Sequence, residues 1–106
     1  MIEKIPHKPF DGEINGVIIV KAAVKCGDDV YLGWRHAFIM SDLIIEKIVT
    51  KEKPMLPEMQ GFISQHGQFI NREISKVIVL LNGQIKGTHY HVLCSEDLWD
   101  MKGNPA

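Results

Sequence analysis

Val17-Ile18-Ile19-Val20-Lys21-Ala22-Ala23-Val24-Lys25, followed by Gly27-Asp28-Asp29 and Val30-Tyr31-Leu32, is the stretch on which the fold turns. Its first half is apolar and β-branched, which suits a pleated, half-buried surface. Two apolar runs around a Gly-Asp turn predict a β-hairpin. Upstream, residues 1–16 carry Pro6, Pro9, Gly12 and Gly16, and read as an irregular arm or a short edge strand. Downstream, Gly33 ends the hairpin and Trp34-Arg35-His36 lead into an apolar stretch that reaches Val49. A helical wheel sets Ala37, Phe38, Ile44, Ile45, Ile48 and Val49 on one broad face, with Ile39, Met40 and Leu43 opposite. A helix apolar on both sides needs cover on both, from its own chain or from a second subunit.

Residues 50–59 contain Lys51, Glu52, Lys53, Pro54 and Pro57 and predict a surface loop. Gln60-Gly61-Phe62-Ile63 reads as a short extended piece, His66-Gly67 as a turn, and Gln68-Phe69-Ile70 as a lead to Asn71. Asn71 is a good helix N-cap, and Glu73 suits the positive end of a helix. Ile74, Val77, Ile78 and Leu81 then match the i, i+3, i+4, i+7 template, and Asn82-Gly83 suits a helix end, so a second helix is expected. Val79 and Leu80 lie off that stripe. His89-Tyr90-His91-Val92-Leu93 alternates, Ser95-Glu96-Asp97-Leu98-Trp99 follows, and residues 100–106 form a polar tail. The sum is one α+β domain over residues 1–106, a small antiparallel sheet with two helices.

At 106 residues, with 45% hydrophobic and 24% charged residues, the chain has the composition of one globular domain. A formal net charge of −1 gives no whole-surface attraction to DNA, RNA or an anionic membrane, so any anion site must be local. Cys26 and Cys94 lie far apart in no metal-type spacing, and no leader is evident, so both are expected as free thiols in a reducing compartment. No apolar run is long enough to span a bilayer. A domain this short buries a modest core, and a homo-oligomer is a reasonable expectation.

Catalytic readings are thin. Cys94 stands near His89 and His91 but lacks a small-residue elbow, and adjacent Glu96 and Asp97 point apart in any regular element. His89 and His91 would share a strand face, yet two ligands are not a metal site. No cofactor and no metal are expected. Arg35-His36, at a helix start, is a place for an anion, competing with a solvated arginine beside a capping histidine. Phe62 and Phe69 flank a tight turn, so their rings are expected close together, with Gln60, Asn71 and Arg72 beside them. Core filling and helix capping compete with that reading. Trp99 reads as a core or interface anchor.

These pieces occur in a fixed order: Val20-Lys21-Ala22-Ala23-Val24-Lys25, Arg35-His36, Gln60-Gly61-Phe62-Ile63, Gly67-Gln68-Phe69 with Asn71-Arg72, Gly83-Gln84-Ile85 and Ser95-Glu96-Asp97-Leu98-Trp99. Over residues 17–99 the series resembles the phage Thoeris anti-defence proteins of the first described type. The resemblance implies a non-catalytic sponge in the cytoplasm of the infected bacterial host. Such proteins sequester a cyclised ADP-ribose messenger between two intertwined subunits of a homodimer. Some assemble as trimers of dimers and also hold cyclic oligonucleotides of another defence system. By this likeness Arg35 and His36 match the family's Arg-His pair, with Arg35 at phosphate. Phe62 or Phe69 would stack on adenine, and Asn71 and Arg72 would meet ribose or phosphate. Gln84 and Ser95 match recurrent pieces whose role, binding or structural, is open.

Two features depart from the pattern. Many relatives are alanine-rich after the arginine matching Arg72, where this chain has Ile74-Ser75-Lys76-Val77. Relatives can carry a basic residue in the neighbourhood where His89, Tyr90 and His91 stand here; if that residue contacts phosphate, the difference implies weaker, different or pH-dependent binding. Two other functions compete: an enzyme degrading such a signal with His36 or His66 as general base, and a phage protein binding a host protein through apolar helix faces.

Overall fold

The computed structural model describes residues 2–85 and 92–106. The expected histidine-rich alternation at His89, Tyr90 and His91, and the metal pair it offers, lie outside the described residues. The hairpin is present as β2 (Ile19–Cys26) and β3 (Asp29–Gly33), with Cys26 paired to Asp29 around a left-handed Gly27 at φ 62. With β1 (Glu3–Pro6), β4 (Gln60–Ser64) and β5 (Phe69–Asn71) they form a five-stranded sheet of order β1-β3-β2-β4-β5, every pair antiparallel. The helices α1 (His36–Ile45) and α2 (Arg72–Asn82) complete an α+β fold. No helix among the described residues is long and apolar enough to cross a membrane.

Strand pairing decides which residues meet. Ala22 faces Phe62 and Phe62 faces Ile70, so these lie on the side that the helices cover, with Ile39, Leu43, Ile78 and Val79 packed above. The opposite side carries Ala23, Val30, Leu32 and Ile63, all buried although no helix among the described residues packs in their cluster. The N-terminal arm explains their burial. It leaves β1 at Pro6, and by Pro9 it bridges Phe69 of β5, at the other end of the strand order. Three residues reach at most about 11 Å, so the sheet must curl until its two edges nearly meet. The opposite side therefore encloses a second small core, closed by Ile5 and Phe69. Gly61 permits this closure, because a Cβ there would stand 2.7 Å from the Phe69 ring.

The first helix face differs from the sequence expectation and the second matches it in part. The first helix ends at Ile45, not Val49, and Lys47 takes a left-handed turn at φ 60. Ile48 and Val49 reach the core from that turn. His36, Ile39 and Leu43 are the buried stripe, whereas Phe38, Ile44 and Ile45 are 49%, 60% and 74% exposed. The wheel was misleading because it counted residues beyond the helix end toward one face. The second helix starts as expected, with Asn71 Oδ1 accepting from Ile74 N at 2.9 Å, and ends at a left-handed Gly83. Ile78 of the expected stripe is buried and Ile74 packs against the core, as Val79 does from off the stripe, whereas Val77 and Leu81 are exposed. Small Ser75, whose Oγ donates to Ile70 O at 3.3 Å, lets the helix approach β5 closely. The expected polar tail, residues 100–106, is largely exposed and turns back on the chain. Asp100 Oδ1 accepts from Lys102 N and Asn104 N, Trp99 bridges Pro105, and Gly103 packs against the Trp34 ring.

Candidate functional site

The start of α1, the start of β4 and the start of α2 converge on one place, and the 3-10 turn at Ser95–Asp97 closes its far side. They frame a cleft of about 510 Å³ lined by Ala37, Met40, Ser41 and Ile44 of α1, together with His36, Gln60, Arg72, Cys94, Ser95 and Glu96. Beyond Gln60 and Arg72 lies a neighbouring cleft of about 550 Å³ that includes Glu58, Asn71 and Glu73. Arg72 thus stands on the ridge between the two.

The polar order of the site is fixed by His36. Its Nε2–H donates to Gly61 O at 2.6 Å, which leaves Nδ1 as the acceptor for Arg72 Nη2 at 3.1 Å. Arg72 Nη2 also donates to Gln60 Oε1 at 2.9 Å, while Arg72 Nε is buried with no hydrogen-bond partner among the described residues. Burial, and to a lesser degree the Arg72 charge, lowers the His36 pKa from 6.5 to about 4. The ring packs edge-on against Phe62, with centroids 5.0 Å apart. His36 is therefore neutral at ordinary pH with both ring nitrogens engaged. As a general base it would have to break one of those bonds.

Several expected site residues hold other positions. Arg35 caps α1 but lines neither of these clefts. Its Nη1 donates to Trp99 O at 2.6 Å, and its Nε lies 3.6 Å from Glu96 Oε1, so it fastens the C-terminal segment. Phe62 is wholly buried among His36, Trp99 and the inner core, with no face open for a base to stack on. Phe69 lies on the other side of the sheet, paired with Ile63 and near His7, so the two rings are not neighbours. The hairpin parity separates them, since Phe62 pairs with Ile70 and not with Phe69.

Asn71 serves as the α2 cap and borders the second cleft. Gln84 mimics a strand: its Oε1 accepts from Ile19 N at 2.9 Å and its Nε2 donates to Ile19 O at 2.8 Å. Ser95 Oγ accepts from His36 N at 3.4 Å and donates to Glu96 Oε1 at 2.9 Å, so it occupies part of the α1 N-terminus. Of the residues expected together, the structure brings together His36, Gln60, Arg72 and Ser95. His66 is exposed at the β4–β5 turn, where its carbonyl accepts from Lys8. Trp99 packs against Trp34 and Phe62 in the core.

Sequence reasoning missed Ala37, Met40, Ser41 and Ile44 as a cleft wall. The signal was present: they follow the same i, i+3, i+4, i+7 spacing, one residue on from the buried stripe beginning at His36. Cys94 borders the cleft, and burial raises its thiol pKa, which disfavours the thiolate. Among the described residues no three His, Cys, Asp or Glu side chains converge as a metal site requires.

No curated protein and no solved structure matches the chain. The phage T4 y16D protein family matches it over residues 18–99, a span that holds both helices, four of the five strands and every residue named for the first cleft. On that match the chain belongs to the phage T4 y16D protein family.

Proposed function

We propose that this phage protein is a non-catalytic sponge that binds and sequesters a cyclised ADP-ribose messenger, and so blocks Thoeris defence in the cytoplasm of the infected host. The observation that carries the reading is the Arg72 guanidinium on the ridge between two clefts, held by uncharged groups and with one buried N–H unpartnered among the described residues. A cation so placed suits a phosphate between two larger ligand parts. The α1 side of the ridge offers Ala37, Met40 and Ile44 to an apolar, planar group. The other side offers Glu58, Asn71 and Glu73, whose oxygens accept from ribose hydroxyls. Glu96 also borders the first cleft, but it is engaged by Arg35 and Ser95.

Two further points favour binding over turnover. His36 has both ring nitrogens committed, and the Cys94 thiol is pushed toward its protonated form. Ile44 is 60% exposed at the edge of the cleft and continues into exposed Ile45. A second subunit seated there would enclose the ligand and slow its release, as sequestration requires. The same exposed residues, with Val77, Leu80 and Leu81 on α2, favour a second reading in which the helix faces bind a host protein.

The protein is incubated with cyclised ADP-ribose, freed of unbound ligand and heat-denatured, and the released material is analysed. Intact ligand is expected. Recovered fragments would make the protein an enzyme, and no retained ligand would favour the host-protein reading. Arg72→Ala is expected to weaken retention about tenfold or more, the usual effect of losing a charge-assisted contact.

A further inference from the structure

We infer that His36 is a positioning residue: together with Gln60 it holds the Arg72 guanidinium in the cleft through uncharged acceptors, so that the arginine keeps its full positive charge for the ligand. This rests on the proposed binding site. An arginine is usually held by a carboxylate, which orients it and offsets its charge. Arg35 illustrates that arrangement, with Glu96 Oε1 3.6 Å from its Nε. Arg72 Nη2 is oriented instead by His36 Nδ1 at 3.1 Å and Gln60 Oε1 at 2.9 Å, both lone pairs on neutral groups.

The histidine is in turn fixed from below. Gly61 O takes the Nε2 proton, so the Nδ1 lone pair must face Arg72, and the edge contact with Phe62 stops the ring from turning. Protonation of His36 would put a donor where Arg72 needs an acceptor. Among the described residues, the charged and titratable groups around the ring are Arg72 from α2 and Glu96 and Cys94 from the C-terminal segment. From β4 it meets uncharged Gly61 and Phe62. Burial and Arg72 keep the ring neutral down to about pH 4, so the holder survives across the ordinary pH range.

The test compares His36→Phe, which keeps the ring's bulk without nitrogens, with His36→Gln, which keeps a donor and an acceptor. Binding of cyclised ADP-ribose is titrated on the full chain. His36→Phe is expected to bind about tenfold or more weakly while remaining folded by circular dichroism, and His36→Gln within a few-fold of the parent. Toward pH 4 the parent should lose affinity by a step that His36→Gln lacks. Parental affinity in a folded His36→Phe, or the same acid step in His36→Gln, would overturn the inference. If His36→Phe does not fold, the pH comparison decides.

A parent that does not bind cyclised ADP-ribose would refute the proposed function and leave this inference to a ligand-free measurement. The Arg72 Nε–H resonance should then be sharp and slow to exchange in the parent and in His36→Gln. It should broaden as the parent is acidified toward pH 4. A resonance indifferent to that acidification would show that His36 does not hold the arginine.

Discussion

Arg35 and Arg72 stand at the starts of the two helices, one as the cap of α1 and one as the first residue of α2, yet their surroundings give them opposite employment. Arg35 meets the Trp99 carbonyl and the Glu96 carboxylate, and so ties the C-terminal segment to the helix start. Arg72 meets a neutral imidazole and an amide, and faces open clefts. The first arrangement consumes the charge within the fold; the second preserves it. An arginine beside a helix start is thus no guide to an anion site until its acceptors are known.

The two ends can be driven apart experimentally. The largest effect is expected from acid, through the group that separates them. The folded His36 pKa lies near 4 and the unfolded value near 6.5, so the unfolded chain takes up a proton between these values and the folded one does not. The contribution is fully present above about pH 6.5 and is lost as pH falls toward 4, by on the order of 3 kcal/mol. Urea titrations across that window should show the loss in the parent and a shallower one in His36→Gln. Equal slopes would place the ring in a more polar setting than its burial implies.

Next comes Arg35→Ala. It should cost about 2 kcal/mol by removing a charged donor from a backbone carbonyl, with messenger affinity unchanged in the folded protein. Weakened affinity with unaltered stability would reverse the roles of the two arginines. The smallest effect belongs to Asn71→Ala, about 1 kcal/mol for a lost N-cap, read as a fall in the urea midpoint. A much larger drop in affinity than in stability would give Asn71 a direct contact with the ligand.

What was legible in the sequence follows from the range of the interactions involved. The β2–β3 hairpin, the Asn71 cap and the Gly83 helix end are set by residues a few positions apart, and spacing displays them. The burial of Phe62 and the outward side of Phe69 depend on how β4 and β5 pair, and two rings seven residues apart across a turn carry no mark of that register. The α1 face was misread because Ile48 and Val49 enter the core from a turn at Lys47, which periodicity treats as further helix. Arg35 and Arg72 differ only in their acceptors, and those come from Trp99, Glu96, His36 and Gln60, far away along the chain.

The curl of the sheet has a consequence for how these chains behave in a crowd. A flat five-stranded sheet exposes two rows of unpaired peptide groups, and like chains can add to them without limit. Here Lys8 O takes the Phe69 N–H at the outer edge of β5, and Pro6 and Pro9 interrupt donation along the connecting arm. Residues 3–9 are thus a seam rather than a loose leader, and they limit polymerisation through the backbone.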